Sequence, residues 1–327
     1  MITVGLTYDL RSQYLSEGYS EEETCEFDRD DTIDAIENAL QCLGYQTERI
    51  GNARQLIKEL LAGKRWNIVF NIAEGMYGLG REAQVPAILD VYNIPYTFSD
   101  TVVMALSLHK GMTKRLMRDS GIPTAEFRVI EHESEIFSNP LPFPVFAKPV
   151  AEGTGKGIGS FSKINNDIEL QRQAGYILQR YRQPVLLEEF LPGREFTVGI
   201  TGTGMNAVAL GVLEVILNKD AEQDAYSYTN KENCEELVIY KTASGIEAEQ
   251  CISVALKVWN CLGCRDSGRV DLKLDKYGNP NFLEVNPLAG LHPEHSDLPI
   301  LAHLVGISYK DLIRMIMDSA IQRIKKT

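Results

Sequence analysis

The stretch Gly268-Arg-Val-Asp-Leu-Lys-Leu-Asp-Lys-Tyr-Gly-Asn-Pro-Asn-Phe-Leu-Glu-Val-Asn286 decides how this chain is read. Two alternating, largely apolar runs flank a turn at Asp275–Pro280, the pattern of a β-hairpin. Period-two alternation puts Arg269, Asp271 and Lys273 on one face, with Glu284 and Asn286 together on the adjacent strand. Two carboxylates and an amide carbonyl make a patch of hard oxygen ligands, the kind Mg2+ takes when it bridges phosphates. One such strand would read as a solvated polar face. Two strands that both aim oxygens out of apolar runs read as a metal site. Arg269 beside them suits charge that develops on a transferring phosphoryl group.

Two more segments fit that chemistry. Pro144-Val-Phe-Ala-Lys-Pro-Val-Ala-Glu-Gly-Thr-Gly-Lys-Gly-Ile-Gly-Ser160 delivers Lys148 at the end of an apolar strand, then a loop carrying Gly153, Gly155, Gly157 and Gly159. Glycines let backbone N–H groups approach phosphate oxygens closely. The G-K-[ST] ending of a P-loop is absent and a strand pattern follows, so the segment reads as a hairpin lid. Val185-Leu-Leu-Glu-Glu-Phe-Leu-Pro-Gly-Arg-Glu195 is an apolar strand that ends in acids and crosses Leu191-Pro-Gly, suited to a domain hinge. Its acids are placed to accept from an adenine amino group and ribose hydroxyls.

Upstream, the first hundred residues alternate strand and helix patterns, which predicts a small parallel sheet with helices on both faces. No G-x-G-x-x-G joins its first strand and helix, so it is a poor dinucleotide site. One helix is expected from about Val102 to Asp119, stopped by Gly121 and Pro123. The predicted fold class is an α/β amino-terminal parallel-sheet domain followed by a two-part α+β unit. A length of 327 residues is too long for one ordinary core. A net charge of −12 argues against nucleic acid, and no apolar run is long enough to span a bilayer. With no leader pattern at Met1–Thr7, a cytoplasmic location follows by default. Of the six cysteines only Cys261 and Cys264 form a C-x-x-C, with no second pair to complete a zinc site.

Together the three segments resemble ATP-grasp enzymes, and within them the D-alanine–D-alanine ligase family. Asn93-Ile-Pro-Tyr-Thr97, His109-Lys-Gly-Met-Thr-Lys114, Glu188–Thr197 and Arg269-Val-Asp271 are family-like phrases. The Glu284-Val-Asn286 run downstream of Asp271 is the most specific of them. The resemblance implies a pre-ATP-grasp domain over residues 1–100, a central subdomain with the glycine lid over 101–187, and a metal-bearing subdomain over 188–327. It implies ATP contacts at Lys110 and Lys148, at the loop Glu152, Gly153, Gly155, Lys156 and Gly157, and at Glu188, Glu189, Leu191 and Glu195. It assigns Asp271, Glu284 and Asn286 to two Mg2+ ions, replaceable by Mn2+, and places Arg269 and the Gly290 backbone at an acyl phosphate. Lys231 lies in the segment that covers the substrates, near Tyr226, and a homodimer is suggested. The implied reaction is ADP-forming C–N ligation of amino-acid-like substrates.

The departures from the family's pattern lie on the substrate side. Glu74 stands where a histidine is usual, Arg81-Glu82 replace small or acidic residues, and Thr154 takes the place of a serine in the lid. Glu232 stands where a tyrosine follows the covering lysine. Past Asn286 the chain reads Pro-Leu-Ala-Gly-Leu-His-Pro-Glu-His-Ser-Asp297, with Ser296 as its best-placed hydroxyl. Glu74, Arg81 and Ser296 are therefore substrate candidates, and either Glu26, Asp28 or neither meets the first substrate's ammonium. Open alternatives are D-alanyl-D-alanine synthesis itself, a transferase that stops at the acyl phosphate, and a non-catalytic ATP-binding sensor.

Overall fold

Strands β1 (Thr3–Thr7), β2 (Gln46–Gly51) and β3 (Ile68–Asn71) form a parallel sheet in the order β2-β1-β3, with β1 and β3 buried and β2 at a more polar edge. The computed structural model in which they are seen describes residues 2–222 and 227–324. Tyr96 adds a further parallel bridge to Val69, so the Ile-Pro-Tyr phrase runs beside the sheet. Helices Asp30–Cys42 and Ala53–Leu61 connect the strands, and Gln84–Val91 leads on from β3 towards Tyr96. Asn52 and Gln55 close a reciprocal capping box at the start of the second.

A second sheet is antiparallel, in the order β4-β7-β5-β6: β4 (Phe127–Ile130), β5 (Val145–Pro149), β6 (Lys163–Ile164) and β7 (Val185–Glu189). Helix Asp167–Tyr181 seals its back, with Leu170, Ala174 and Ile177 packed on Val145, Ala147 and Leu187. The third sheet is also antiparallel, in the order β10-β9-β8-β11-β12. It comprises β8 (Glu195–Thr201), β9 (Val208–Leu217), β10 (Val238–Thr242), β11 (Ser267–Leu274) and β12 (Pro280–Asn286). Helix Ile246–Leu262 covers it, and Trp259 is fully buried there. Gly268 is required at this point, because a Cβ would come within 2.8 Å of the Trp259 ring and 2.5 Å of the Asn286 carbonyl oxygen. The last helix, Tyr309–Ile324, returns to the first sheet: Leu312, Ile313 and Ile316 share one core with Val4, Leu6 and Ile33.

The single helix expected over 102–119 is two, Thr101–Leu108 and Lys110–Asp119, broken at His109 (φ −85°, ψ 84°). The break lets the Lys110 N–H donate to the Val150 carbonyl (3.0 Å), while the His109 ring accepts from Met112 N–H (3.2 Å). A tertiary hydrogen bond thus replaces one of the helix ladder.

Candidate active site

Two adjoining cavities lie along the inner faces of the sheets, and Lys231 lines both. The first, about 820 Å³ of open space, is a cleft between the second and third sheets. Lys110, Lys148, Glu152, Gly155, Lys156, Glu188, Glu189, Leu191 and Glu195 all reach it, as do Asp271 and Glu284. At its floor Glu188 bridges two buried ammonium groups, Lys114 at 2.6 Å and Lys148 at 2.8 Å. Burial alone would raise the Glu188 carboxyl, but the two lysines hold it below its usual value. Burial pulls Lys114 down, whereas Lys148 stays raised because Glu188 and Glu284 outweigh its desolvation. The Glu188 carboxylate thus links Lys114 to Lys148 across the floor.

The lid is tied down at several points. Lys110 Nζ donates to the Glu152 carbonyl (2.6 Å) and pairs with Glu284 (3.2 Å). The Glu152 carboxylate accepts from Gln183 (2.6 Å) and pairs with Lys156 (3.1 Å). Thr154, at φ +52°, and Gly155, at φ +70°, turn the backbone through the left-handed region. Gly157 does not line the cleft. It has φ +76°, and a Cβ there would lie 2.5 Å from Pro149 Cγ, so its smallness lets the loop fold back on β5.

At the seam, register pairs Asp271 with Glu284 and Arg269 with Asn286. Asp271 accepts from the Thr197 hydroxyl (2.8 Å), from the Asn286 amide (3.2 Å) and from the Arg269 guanidinium. Burial raises the Asp271 carboxyl, with Glu284 adding to it against Arg269. Burial also works to raise Glu284, but Lys110, Lys231, Lys148 and Arg269 together hold it well below the carboxylate range. Because the Asn286 amide nitrogen faces Asp271, its oxygen is left as an acceptor. This all-oxygen set fits a hard divalent cation that completes its shell with water and phosphate. Among the described residues no group of three or more His, Cys, Asp or Glu side chains gathers as a metal cluster. Both His292 nitrogens are engaged, Nδ1 by the Glu294 and His295 N–H groups and Nε2 by Asp31 at 3.2 Å.

The second cavity, about 1160 Å³ of open space, is bounded by the amino-terminal loop, the lid and the segment after β12. Glu74, Gly153, Thr154, Arg269, Asn286, Gly290 and Ser296 line it. A Cβ on Gly290 would sit 2.7 Å from Ser296 Oγ, which itself accepts from His292 N–H (3.0 Å). Arg81 does not reach this space: it is buried behind the wall, paired with Glu26 (2.7 Å) and donating to the Ala151 carbonyl (2.8 Å). Glu26 Oε1 accepts from Gly153 N–H (2.5 Å), so both its oxygens are committed to the lid and to Arg81. Asp28 also lines the cavity. Tyr226 lies outside the described residues. Sequence reading missed Lys114, Gln183 and Thr197, whose partners in the site, Glu188, Glu152 and Asp271, are remote in the chain.

Antiparallel lid and metal-type hairpins closing on a nucleotide-sized cleft define an ATP-grasp ligase. A family model described as "D-ala D-ala ligase C-terminus" matches residues 116–318. A D-alanine–D-alanine ligase of Bordetella avium is 34% identical over 290 residues, covering 87% of this chain and 87% of that protein. One from Aquifex aeolicus is 33% identical, covering 86% and 92%. The uncharacterised protein y4sG of Sinorhizobium fredii is 32% identical, covering 89% and 87%. In fold the chain is similar to a D-alanine–D-alanine ligase from Bacillus anthracis solved with ATP, at TM-score 0.74 and 20% identity, over 100% of this chain and 99% of that one. The chain belongs to the D-alanine–D-alanine ligase family.

Proposed function

We propose that this protein is an ADP-forming ligase that joins two amino-acid-like substrates through an acyl phosphate made at the seam of the two cavities. The observation that carries this reading is the placement of Lys231, Arg269, Asp271, Glu284 and Asn286 where the ATP-type cleft opens into the second cavity. Lys110, Lys148 and the lid N–H groups would hold the phosphates, and Glu188, Glu189, Leu191 and Glu195 the nucleoside. Asp271, Glu284 and Asn286 would hold two Mg2+ ions, with Mn2+ able to replace them. Bound there, the cations would offset repulsion between a substrate carboxylate and the γ-phosphate. Arg269 and the Gly290 N–H would stabilise the oxyanion when the second substrate's amine attacks. Thr154 in the lid would face the transferring group and exclude water.

We read the chain as three units, 1–100, 101–187 and 188–327, the last helix of the third seated on the first. No helix of the described residues is long and apolar enough to cross a membrane. All six cysteines are free, which supports a reducing, cytoplasmic setting. Incubation with Mg-ATP and paired D- and L-amino acids, followed by ADP release and mass spectrometry of the products, tests the reaction. An amide should appear together with ADP, and Glu284→Ala should lower turnover about 100-fold or more. ATP binding without turnover on any pair would favour the sensor reading.

A further inference from the structure

Charge in the second cavity does not cancel. Five acidic residues line it, Glu26, Asp28, Glu74, Glu82 and Asp297, against four lysines and arginines. Two of these are matched: Glu26 by Arg81 at 2.7 Å, and Asp297 by Arg269 at 3.7 Å. No described residue gives a hydrogen bond or ion pair to the carboxyls of Asp28, Glu74 or Glu82. The Arg81 guanidinium, whose charge acts on both Glu74 and Glu82, is already committed to Glu26, Glu152 and the Ala151 carbonyl. Shielded from bulk water, the Asp28 and Glu74 carboxyls are raised well above their usual values, with like charges adding to the effect. Burial likewise pushes Glu82 up to about 7. A bound cation would offset that cost.

The cavity's own cations, Arg11, Arg29, Lys231 and Arg269, offer a match for a substrate carboxylate, and none of them lies within ion-pair distance of Asp28, Glu74 or Glu82. One α-ammonium would satisfy Asp28 and leave Glu74 and Glu82 unmatched. Glu74 feels Glu82 most among its neighbours and both feel Glu26 and Arg81, while Glu82 also feels Lys110 and Glu284 at the seam and Glu74 feels Asp28. The acidic wall is therefore extended, and the space it borders far exceeds what a methyl side chain fills. We propose that the substrate seated here carries a second cation, an ammonium or guanidinium on its side chain, held by Glu74 and Glu82. The proposal rests on the ligase reading above and names the substrate class of that site.

The test uses the full-length protein with Mg-ATP and the D and L forms of lysine, arginine, alanine and glutamate, singly and in pairs. Amide formation by a lysine or arginine should proceed with kcat/KM at least about tenfold above that of alanine. Glu74→Gln and Glu82→Gln should each erode that preference about tenfold, through the amino-acid KM rather than the ATP KM. Equal or better amide formation from alanine or glutamate, or a preference untouched by both variants, overturns the cation subsite and leaves the ligase reading intact. No ADP-linked amide from any pair overturns both. Calorimetry on the wild-type protein at pH 6.5, in two buffers of different ionisation enthalpy, keeps the idea open to refutation if the variants do not fold. Lysine or arginine should bind with release of protons from the wall, and binding without proton release would count against it.

Discussion

Lys114 looks like an ordinary lysine on an amphipathic helix, and nothing in its local pattern announces that it is fully buried. Its partner, Glu188, sits on β7, paired in register with Phe127 of β4, over whose ring the Lys114 ammonium lies. Lys148 was legible because an apolar strand delivers it beside a glycine loop. Lys114 was not, because its environment is tertiary. Glu188→Gln removes the carboxylate from between two buried ammonium groups and leaves them facing each other. Breaking a buried pair in this way costs about 3–5 kcal/mol. Urea unfolding of the variant should show a loss of that order, and an unchanged midpoint would mean that the lysines find other partners. Glu82 makes a second prediction at this scale. Its carboxyl is raised from 4.5 to about 7 in the folded protein. Between these values the folded state holds a proton that the unfolded chain has released, so ligand-free stability falls as pH rises. The full window is worth on the order of 3 kcal/mol. Urea midpoints at pH 5, 6 and 7 should decline in the wild type and decline less in Glu82→Gln.

Among the elements, strands were the most legible. β5 and β7 fall where their apolar runs place them, because a strand buried on both faces reads as a short continuous apolar run. Helix Asp167–Tyr181 was passed over although Asn166 caps it by accepting from Glu169 N–H and Leu170, Ala174 and Ile177 recur at helical spacing. The break at His109 was hidden for another reason: helical propensity runs straight through it, and the Val150 carbonyl that takes the Lys110 N–H is a remote partner. The lid was legible as a glycine-rich hairpin, but its fastening was not. Glu26 on the amino-terminal loop joins Gly153 N–H to Arg81, which in turn holds the Ala151 carbonyl. Glu22 adds contacts to Arg180 (2.5 Å) and the Tyr181 hydroxyl (2.9 Å) on the helix behind the lid. Arg81→Met should loosen this fastening and raise the KM for ATP, with faster tryptic cleavage after Lys156. A double-mutant cycle with Glu26→Gln should give a coupling of about 1–2 kcal/mol on that KM. A coupling near zero would mean the lid is held by Glu152 and Gln183 alone.

At the scale of the whole molecule, the seam between the two cavities depends on two ends of the chain meeting. The amino-terminal loop supplies Glu26 and Asp28, while the carboxy-terminal sheet supplies Arg269 and Asn286. What holds these parts together is the last helix. Leu312, Ile313, Ile316 and Met317 are fully buried in the core built around Val4, Leu6 and helix Asp30–Cys42. Arg323 then bonds the buried carboxylate of Asp266 (2.5 Å) and the Tyr96 carbonyl (3.0 Å), fastening the third sheet to the first. Each large side chain in that core contributes about 1.5–3 kcal/mol, so four of them rival the whole stability of a typical domain, about 5–15 kcal/mol. A chain ending at Ser308 should therefore lose cooperative unfolding together with its activity. Ile316→Ala is the milder form of the same experiment. It should cost about 2–5 kcal/mol and still leave a folded protein whose ATP binding is intact at low temperature. If the truncated chain instead unfolds cooperatively and still releases ADP, the first sheet must be held in place by contacts other than this helix, and the seam does not depend on it.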